Sequence, residues 1–171
     1  MRILLIDGSN LHEAAKSINL SIDYSKLLAL MKEGQDKFRA YYFTALPNRS
    51  VQSKLHKLTD WLGYNGYTVI SKETKEYQQD SGEVRVKGNM DVEIAVHALR
   101  LCTIADEIFL FSGDGDFTSL VAEIQMKSST KVSCVSSRSF VSGDLRKQCD
   151  EFFALESMAE SIRQEMKYDL S

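Results

Sequence analysis

Four aspartates carry the chemistry this 171-residue chain can do: Asp7, Asp91, Asp114 and Asp116. The run Arg2-Ile3-Leu4-Leu5-Ile6 stops at Asp7. A second run, Ile108-Phe109-Leu110-Phe111, stops at Ser112-Gly113-Asp114-Gly115-Asp116. Each run reads as a strand buried on both faces of a parallel sheet. In an open α/β sheet, ligands gather beyond the carboxyl ends of the strands. Carboxylates brought together there repel one another unless a cation or shared protons hold them. Mg2+ and Mn2+ prefer such oxygen ligands, usually a few carboxylates plus water. A cation of this kind activates water and offsets charge on a phosphodiester under attack. Asp91, at a helix start after Lys87-Gly88, adds a third acid-bearing segment.

Each acid also has an ordinary structural use. Gly8-Ser9-Asn10 after Asp7 suits a strand-to-helix junction capped by Ser9 or Asn10. Asp116 can cap a helix from Phe117, and Asp91 can cap its own. A capping aspartate can still face a ligand, so these uses and a metal site coexist.

Other chemistries find little footing. His12, His56 and His97 lack the paired spacing of zinc ligands. Cys102, Cys134 and Cys149 form no Cys-x-x-Cys pair and read as buried reduced thiols. There is no nucleophile elbow and no phosphate-binding P-loop. Gly113-Asp114-Gly115 has Thr118 where a dinucleotide fingerprint needs its third glycine. A net charge of −3 argues against a general nucleic-acid coating protein. It leaves room for a nuclease with a local basic rim.

The elements that must position the acids alternate strand and helix. Strands are expected over residues 2–6, 38–46, 67–71, 107–111, 131–135 and 152–155. Helices are expected from Asn10 to about Ile18, then over 24–32, 51–62, 91–101, 117–126 and 141–148, with a polar terminal helix over 157–167. Asp23 supplies a helix cap, and Gly34 a stop. Residues 72–88 are polar and lack apolar periodicity, apart from the alternating Glu83-Val84-Arg85-Val86. They read as a projecting loop or ribbon beside the site. The apolar share of 43% and charged share of 26% fit one globular domain. That domain is expected over 1–156, with the insertion at about 72–88 and a C-terminal helix over 157–171. No apolar run spans a bilayer. Arg2 leads into a short strand rather than an export signal. The expectation is a cytoplasmic protein with no membrane partner.

Three segments resemble a known family. Ile6-Asp7-Gly8-Ser9-Asn10, Lys87-Gly88-Asn89-Met90-Asp91-Val92 and Ser112-Gly113-Asp114-Gly115-Asp116-Phe117 are similar to the three motifs of NYN domains, in the LabA-like branch of the PIN-like nuclease group. The similarity covers about residues 1–155. It implies a three-layer α/β/α sandwich with a mainly parallel central sheet of order 3-2-1-4-5. It implies a Mg2+- or Mn2+-dependent ribonuclease in which Asp7, Asp91, Asp114 and Asp116 form the acidic, metal-holding set. By the same match, Asn10 holds the Asp7 loop or a metal-bound water, and Lys87 approaches substrate phosphate. Two departures stand out. The family commonly reads Lys-Gly-x-Asp, and Asn89-Met90 adds a residue here. The family often has an aspartate six residues after that acid, and this chain has His97.

On the substrate side, Arg85, Lys87, Ser112 and His97 are the candidate contacts. His97 has an alternative place on a surface face with Glu93 and Arg100. Lys72, Lys75, Arg49, Lys54 and Arg138 are further phosphate candidates, and Tyr77 or Phe140 could stack a base of single-stranded RNA. Met158, Ile162 and Met166 give the terminal helix a weak apolar face that packs on the domain, on another copy or on a protein partner. The competing function is an RNA- or protein-binding module that keeps the acidic pocket without turnover. A phosphatase acting on small molecules is the third possibility.

Overall fold

Every residue from Ile3 to Ile6 is apolar because both faces of the first strand are covered. In a strand, alternate side chains point to opposite faces. Ile3 and Leu5 enter one buried cluster, with Phe43, Ile94, Leu110 and Val121. Leu4 and Ile6 enter the other, with Leu11, Leu27, Tyr42 and Phe111. The computed structural model describes residues 1–48, 53–78 and 84–165, without the side chains of 75–78 and 84–87.

In chain order the elements are β1 (Arg2–Asp7), α1 (Gly8–Ser17), α2 (Tyr24–Lys32), β2 (Phe38–Leu46), α3 (Lys54–Tyr64), β3 (Tyr67–Glu73), β4 (Lys75–Gln78), β5 (Val84–Lys87), α4 (Asp91–Leu101), β6 (Glu107–Phe111), α5 (Thr118–Lys127), β7 (Lys131–Ser136), α6 (Gly143–Gln148), β8 (Glu151–Ala154) and α7 (Leu155–Ile162). A 3-10 turn, Gly115–Phe117, precedes α5.

The main sheet runs β3-β2-β1-β6-β7-β8, and its neighbouring strands are parallel. Counting only its own strands, this is the order 3-2-1-4-5 extended by a sixth. Helices α1, α2, α3 and α7 supply residues to one face, and α4, α5 and α6 to the other. The order reverses at β1, which pairs with β2 on one side and β6 on the other. Register pairs Ile6 with Phe111, so Asp7 and Ser112 leave the sheet side by side. This is the switch-point crevice where α/β sheets bind ligands.

Several elements differ from expectation: β3 runs on to Glu73, α6 starts only at Gly143, and the terminal helix ends at Ile162. Helix α1 starts at Gly8 with no turn before it, because the Asp7 side chain accepts from the Asn10 N–H and caps it. Helix α3 begins at Lys54, capped by Ser53; residues 51–52 of the expected helix lie outside the described residues. Helix α7 starts at Leu155, directly after β8, and buries Leu155, Ala159 and Ile162. Its apolar face therefore packs on the domain, within the cluster that holds Leu27 and Met31 of α2. Met166 lies outside the described residues. The polar insertion contains an antiparallel ribbon, β4 with β5, pairing Lys75 with Lys87 and Tyr77 with Arg85. Among the described residues no helix is long and apolar enough to cross a membrane.

Candidate metal centre

The site is built from the first residues beyond β1 and β6 and from the start of α4. Asp7 ends β1 and is only 6% exposed. One of its carboxylate oxygens accepts from the Ser9 hydroxyl at 3.0 Å and from the Asn10 N–H at 3.2 Å. The other accepts from the Ser112 hydroxyl at 3.4 Å. Burial pushes the Asp7 carboxyl above the ordinary carboxylate range. The bonds from Asn10 and Ser9 oppose that rise, and the charges of Asp91 and Asp114 add to it.

The loop after β6 is tied to the β1–α1 junction by two bonds. Ser112, 1% exposed, donates to Asp7 and accepts the Asp114 N–H at 3.2 Å. The Asn10 side-chain oxygen accepts the Gly113 N–H at 2.7 Å. Asn10, in the first turn of α1, thus fastens the acid-bearing loop after β6 to the end of β1. Asp114 in turn accepts the Asp116 N–H at 2.9 Å and caps the 3-10 turn, so the cap expected from Asp116 comes from Asp114.

Asp91 is the first residue of α4. Asn89 folds over it: the Asn89 amide donates to the Asp91 carboxylate, and the Asp91 N–H donates to the Asn89 oxygen, both at 2.6 Å. The extra residue in this segment, Met90, is buried in the core beneath α4. The longer spacing thus gives Asp91 both an anchor and a side-chain partner. Burial, then the charges of Asp114 and Asp116, push its carboxyl up, against the bond from Asn89.

Asp91, Asp114 and Asp116 converge. Each offers a carboxylate oxygen within 4.8 Å of the other two. Asp7 does not join that triple. It is the more buried acid, bonded to Ser112 and close enough to feel the charges of Asp91 and Asp114. Three hard oxygen donors, Asp91 and Asp114 half-buried and Asp116 exposed, repel one another and suit a divalent cation that prefers oxygen, as Mg2+ and Mn2+ do. The α4 N-terminus adds some positive potential, which favours an anion at Asp91.

The other sequence candidates fall in different places. The His97 ring packs on the sheet, 5.2 Å from the Phe43 ring and 6.0 Å from Tyr41. Its Nδ1 bonds the Glu93 carbonyl at 2.8 Å. Lys72 is held by Glu93 at 3.0 Å. Lys87 and Arg85 lie on β5, and their side chains are outside the described residues, as are those of Lys75 and Tyr77 and all of Arg49. Arg138 is exposed, its N–H bonded to Glu156. Phe140 belongs to the segment that presses on Gly113. The roles of Asn89, of Ser142 against the Asp114 loop and of Tyr42 beneath Gly8 had no signal in spacing. Those of Ser142 and Tyr42 are contacts between distant segments, whereas Asn89 acts on Asp91 two residues on.

The buried charge of Asp7 predicts a stability effect. Asparagine at position 7 keeps an acceptor for Ser9 and Asn10 and removes the desolvated charge. Metal-free Asp7→Asn should melt a few degrees above the unmodified chain at neutral pH, a gain on the order of 1 kcal/mol. A raised carboxyl stabilises the fold in its protonated form, below the unfolded-state value, and that contribution is lost as pH rises through the folded value. The difference between the two proteins should therefore shrink on acidification. Calorimetric melts in EDTA across that range check both the sign and the trend.

Comparison with known proteins places these observations in a family. The NYN domain model matches residues 2–156. Low amplitude and bright protein LabA of Synechococcus elongatus is 29% identical over 163 residues, covering 93% of this chain and 86% of that one. A crystal structure of a protein of unknown function from Vibrio parahaemolyticus superposes with a TM-score of 0.77 at 24% identity, covering 95% of each chain. That structural likeness speaks to the fold.

Proposed function

The chain belongs to the NYN domain family, and on that premise we propose that it is a metal-dependent ribonuclease acting on single-stranded RNA. The convergence of Asp91, Asp114 and Asp116 carries the reading. In this proposal these three hold Mg2+ or Mn2+, and bound metal supplies an activated water and positive charge beside the phosphate.

The remaining residues position the acids. Asp7 fixes the Ser112 hydroxyl, which receives the Asp114 N–H. Asn10 locks the Gly113 backbone, and Asn89 sets the Asp91 carboxylate. Preorganisation of this kind spares the site the cost of arranging its charges during reaction. Lys87, four residues before Asp91, is assigned to substrate phosphate, and the cytoplasm is the proposed location.

A time course on 5′-labelled single-stranded RNA tests the proposal. Cleavage should proceed with Mn2+ or Mg2+ and stop with EDTA. One observation favours a second reading, a binding module without turnover: the position where the family often carries another acid holds His97, whose ring packs against Phe43. That reading expects salt-dependent RNA binding and no cleavage with either ion.

A further inference from the structure

A cavity of about 590 Å3 opens among α1, α2, α3 and β2 and is lined in part by residues that neighbour the acids in the chain. At one end it is bounded by Gly8 and Ser9, which follow Asp7, and by Gly88, three residues before Asp91. Aromatic rings line it: Tyr42, and Tyr24 set edge-on to it at 5.7 Å. Ala45, Leu55 and Leu58 supply apolar wall. Polar groups are few. They are the Tyr24 and Tyr42 hydroxyls, those of Ser9, Thr44 and Thr74, and the exposed His12 and Lys54.

A second cavity of about 790 Å3 shares His12, Tyr24 and Leu58 with the first and so lies next to it. Lys16 and Trp61 line its outer part. Its acid among the described residues is Asp23, whose carboxylate accepts the N–H groups of Ser25 and Lys26.

We propose that the inner cavity holds an unpaired nucleobase of the RNA, on the nucleotide next to the phosphate at the carboxylates, and that the outer cavity carries the following part of the strand. This deepens the ribonuclease reading and rests on it. A mostly apolar cleft of this size with a few polar groups is the usual form of a small-molecule site. Aromatic surfaces interleaved with cations are how single strands are held without a duplex. The position does the rest. A base seated among Tyr24, His12 and Leu58 would leave its sugar-phosphate at the end lined by Gly8 and Ser9, whose hydroxyl bonds the Asp7 carboxylate at 3.0 Å. An aliphatic ligand would use the walls and leave the hydroxyl and imidazole groups idle.

The chain's single tryptophan, Trp61, is 39% exposed in this groove and serves as a probe. The experiment uses a 12-nucleotide RNA and variants in which one abasic nucleotide is walked along it. Binding to Asp114→Asn protein with Mn2+ is read by Trp61 emission, and cleavage by the unmodified chain is read by gel. The intact RNA should shift Trp61 emission saturably. An abasic nucleotide at one position, adjacent to the cleaved bond, should weaken kcat/KM about tenfold through KM, the scale of one lost base stack. His12→Ala should produce a similar loss, and the two together should cost little more than either alone, the signature of a shared contact. Lys54→Glu, another exposed change, should also raise KM.

The outcomes separate the two readings. Cleavage with no abasic-sensitive position, or with additive losses, overturns the base pocket and keeps the nuclease. A saturable Trp61 response that depends on one base, without cleavage by the unmodified chain, supports the pocket and overturns the hydrolytic reading. No Trp61 response and no cleavage overturns both, and a peptide partner for the groove becomes the alternative.

Discussion

Asp114→Asn should lower Mn2+-dependent RNA cleavage by about two to three orders of magnitude, the scale of removing one preorganised electrostatic group, while the protein stays folded. Asparagine retains the oxygen that accepts the Asp116 N–H and so preserves the cap on the 3-10 turn. What it removes is charge. That charge raises the carboxyls of both Asp7 and Asp91, so the metal-free variant should melt at or slightly above the temperature of the unmodified chain. The ion-induced stabilisation should move the other way. A cation that binds only the folded state at about 100 times its Kd adds roughly 2.7 kcal/mol, or about 5–10 °C for a chain of this size. The variant should lose most of that shift. Melts with and without Mn2+, run beside the cleavage assay, read both effects. Full cleavage by Asp114→Asn would remove it from the reacting set, and an undiminished thermal shift would remove it from the ligands.

The distinction between Asp114 and Asp7 shows what could be read from order along the chain. The uninterrupted apolar runs before both residues require strands covered on each face, and that requirement yields the parallel sheet and the side-by-side exit of Asp7 and Ser112. The depth of each acid was hidden. Asp7 spends its oxygens on Ser9, Asn10 and Ser112, and the last of these is 105 residues away. Helix geometry accounts for His97. Six residues advance about 9 Å along a helix and turn it about 240° from the starting face, which carries that ring from the Asp91 end onto Phe43 and Tyr41. The ribbon at 75–87 was partly legible because Glu83 to Val86 alternates, a period-two signal. Cys134 and Cys149 look unrelated in sequence, yet β7 and the end of α6 bring them together. A hydrogen bond between the thiols pulls Cys134 down and pushes Cys149 up. Contacts between segments far apart in the chain leave no local pattern, and the groove formed by α1, α2, α3 and β2 is assembled entirely from them.

Gly113→Ala should be the most damaging conservative change outside the acids, and the reason is backbone crowding. A Cβ there would lie 2.6 Å from the Ser136 hydroxyl oxygen, 2.8 Å from the Phe140 carbonyl oxygen and 3.0 Å from the Val141 Cα. Two of these three neighbours are main chain and cannot rotate away. The Gly113 carbonyl also accepts the Ser142 N–H at 2.8 Å, and its N–H donates to Asn10, so the loop is held on both sides of the new methyl. Overpacking of this kind costs about 1–3 kcal/mol, a fall of about 2–12 °C for this chain length. Relief requires the Ser112–Asp116 loop to lift from the segment after β7, which would carry Asp114 and Asp116 away from Asp91. Mn2+ affinity should therefore drop although no carboxylate has been touched. Gly63→Ala is the matched control: it lies within α3 with nothing within 4 Å of its Cβ position, and should be neutral or stabilising by up to about 1 kcal/mol. Adding Ser136→Ala to Gly113→Ala removes the 2.6 Å contact and leaves the two backbone ones. The Ser136 hydroxyl has no hydrogen-bond partner among the described residues, so its loss adds no unpaired group. The double variant should recover part of the lost stability and part of the lost Mn2+ affinity together. Recovery of stability alone would mean that the loop's height does not set the spacing of the carboxylates, and an unchanged melt for Gly113→Ala would mean that the segment after β7 yields freely.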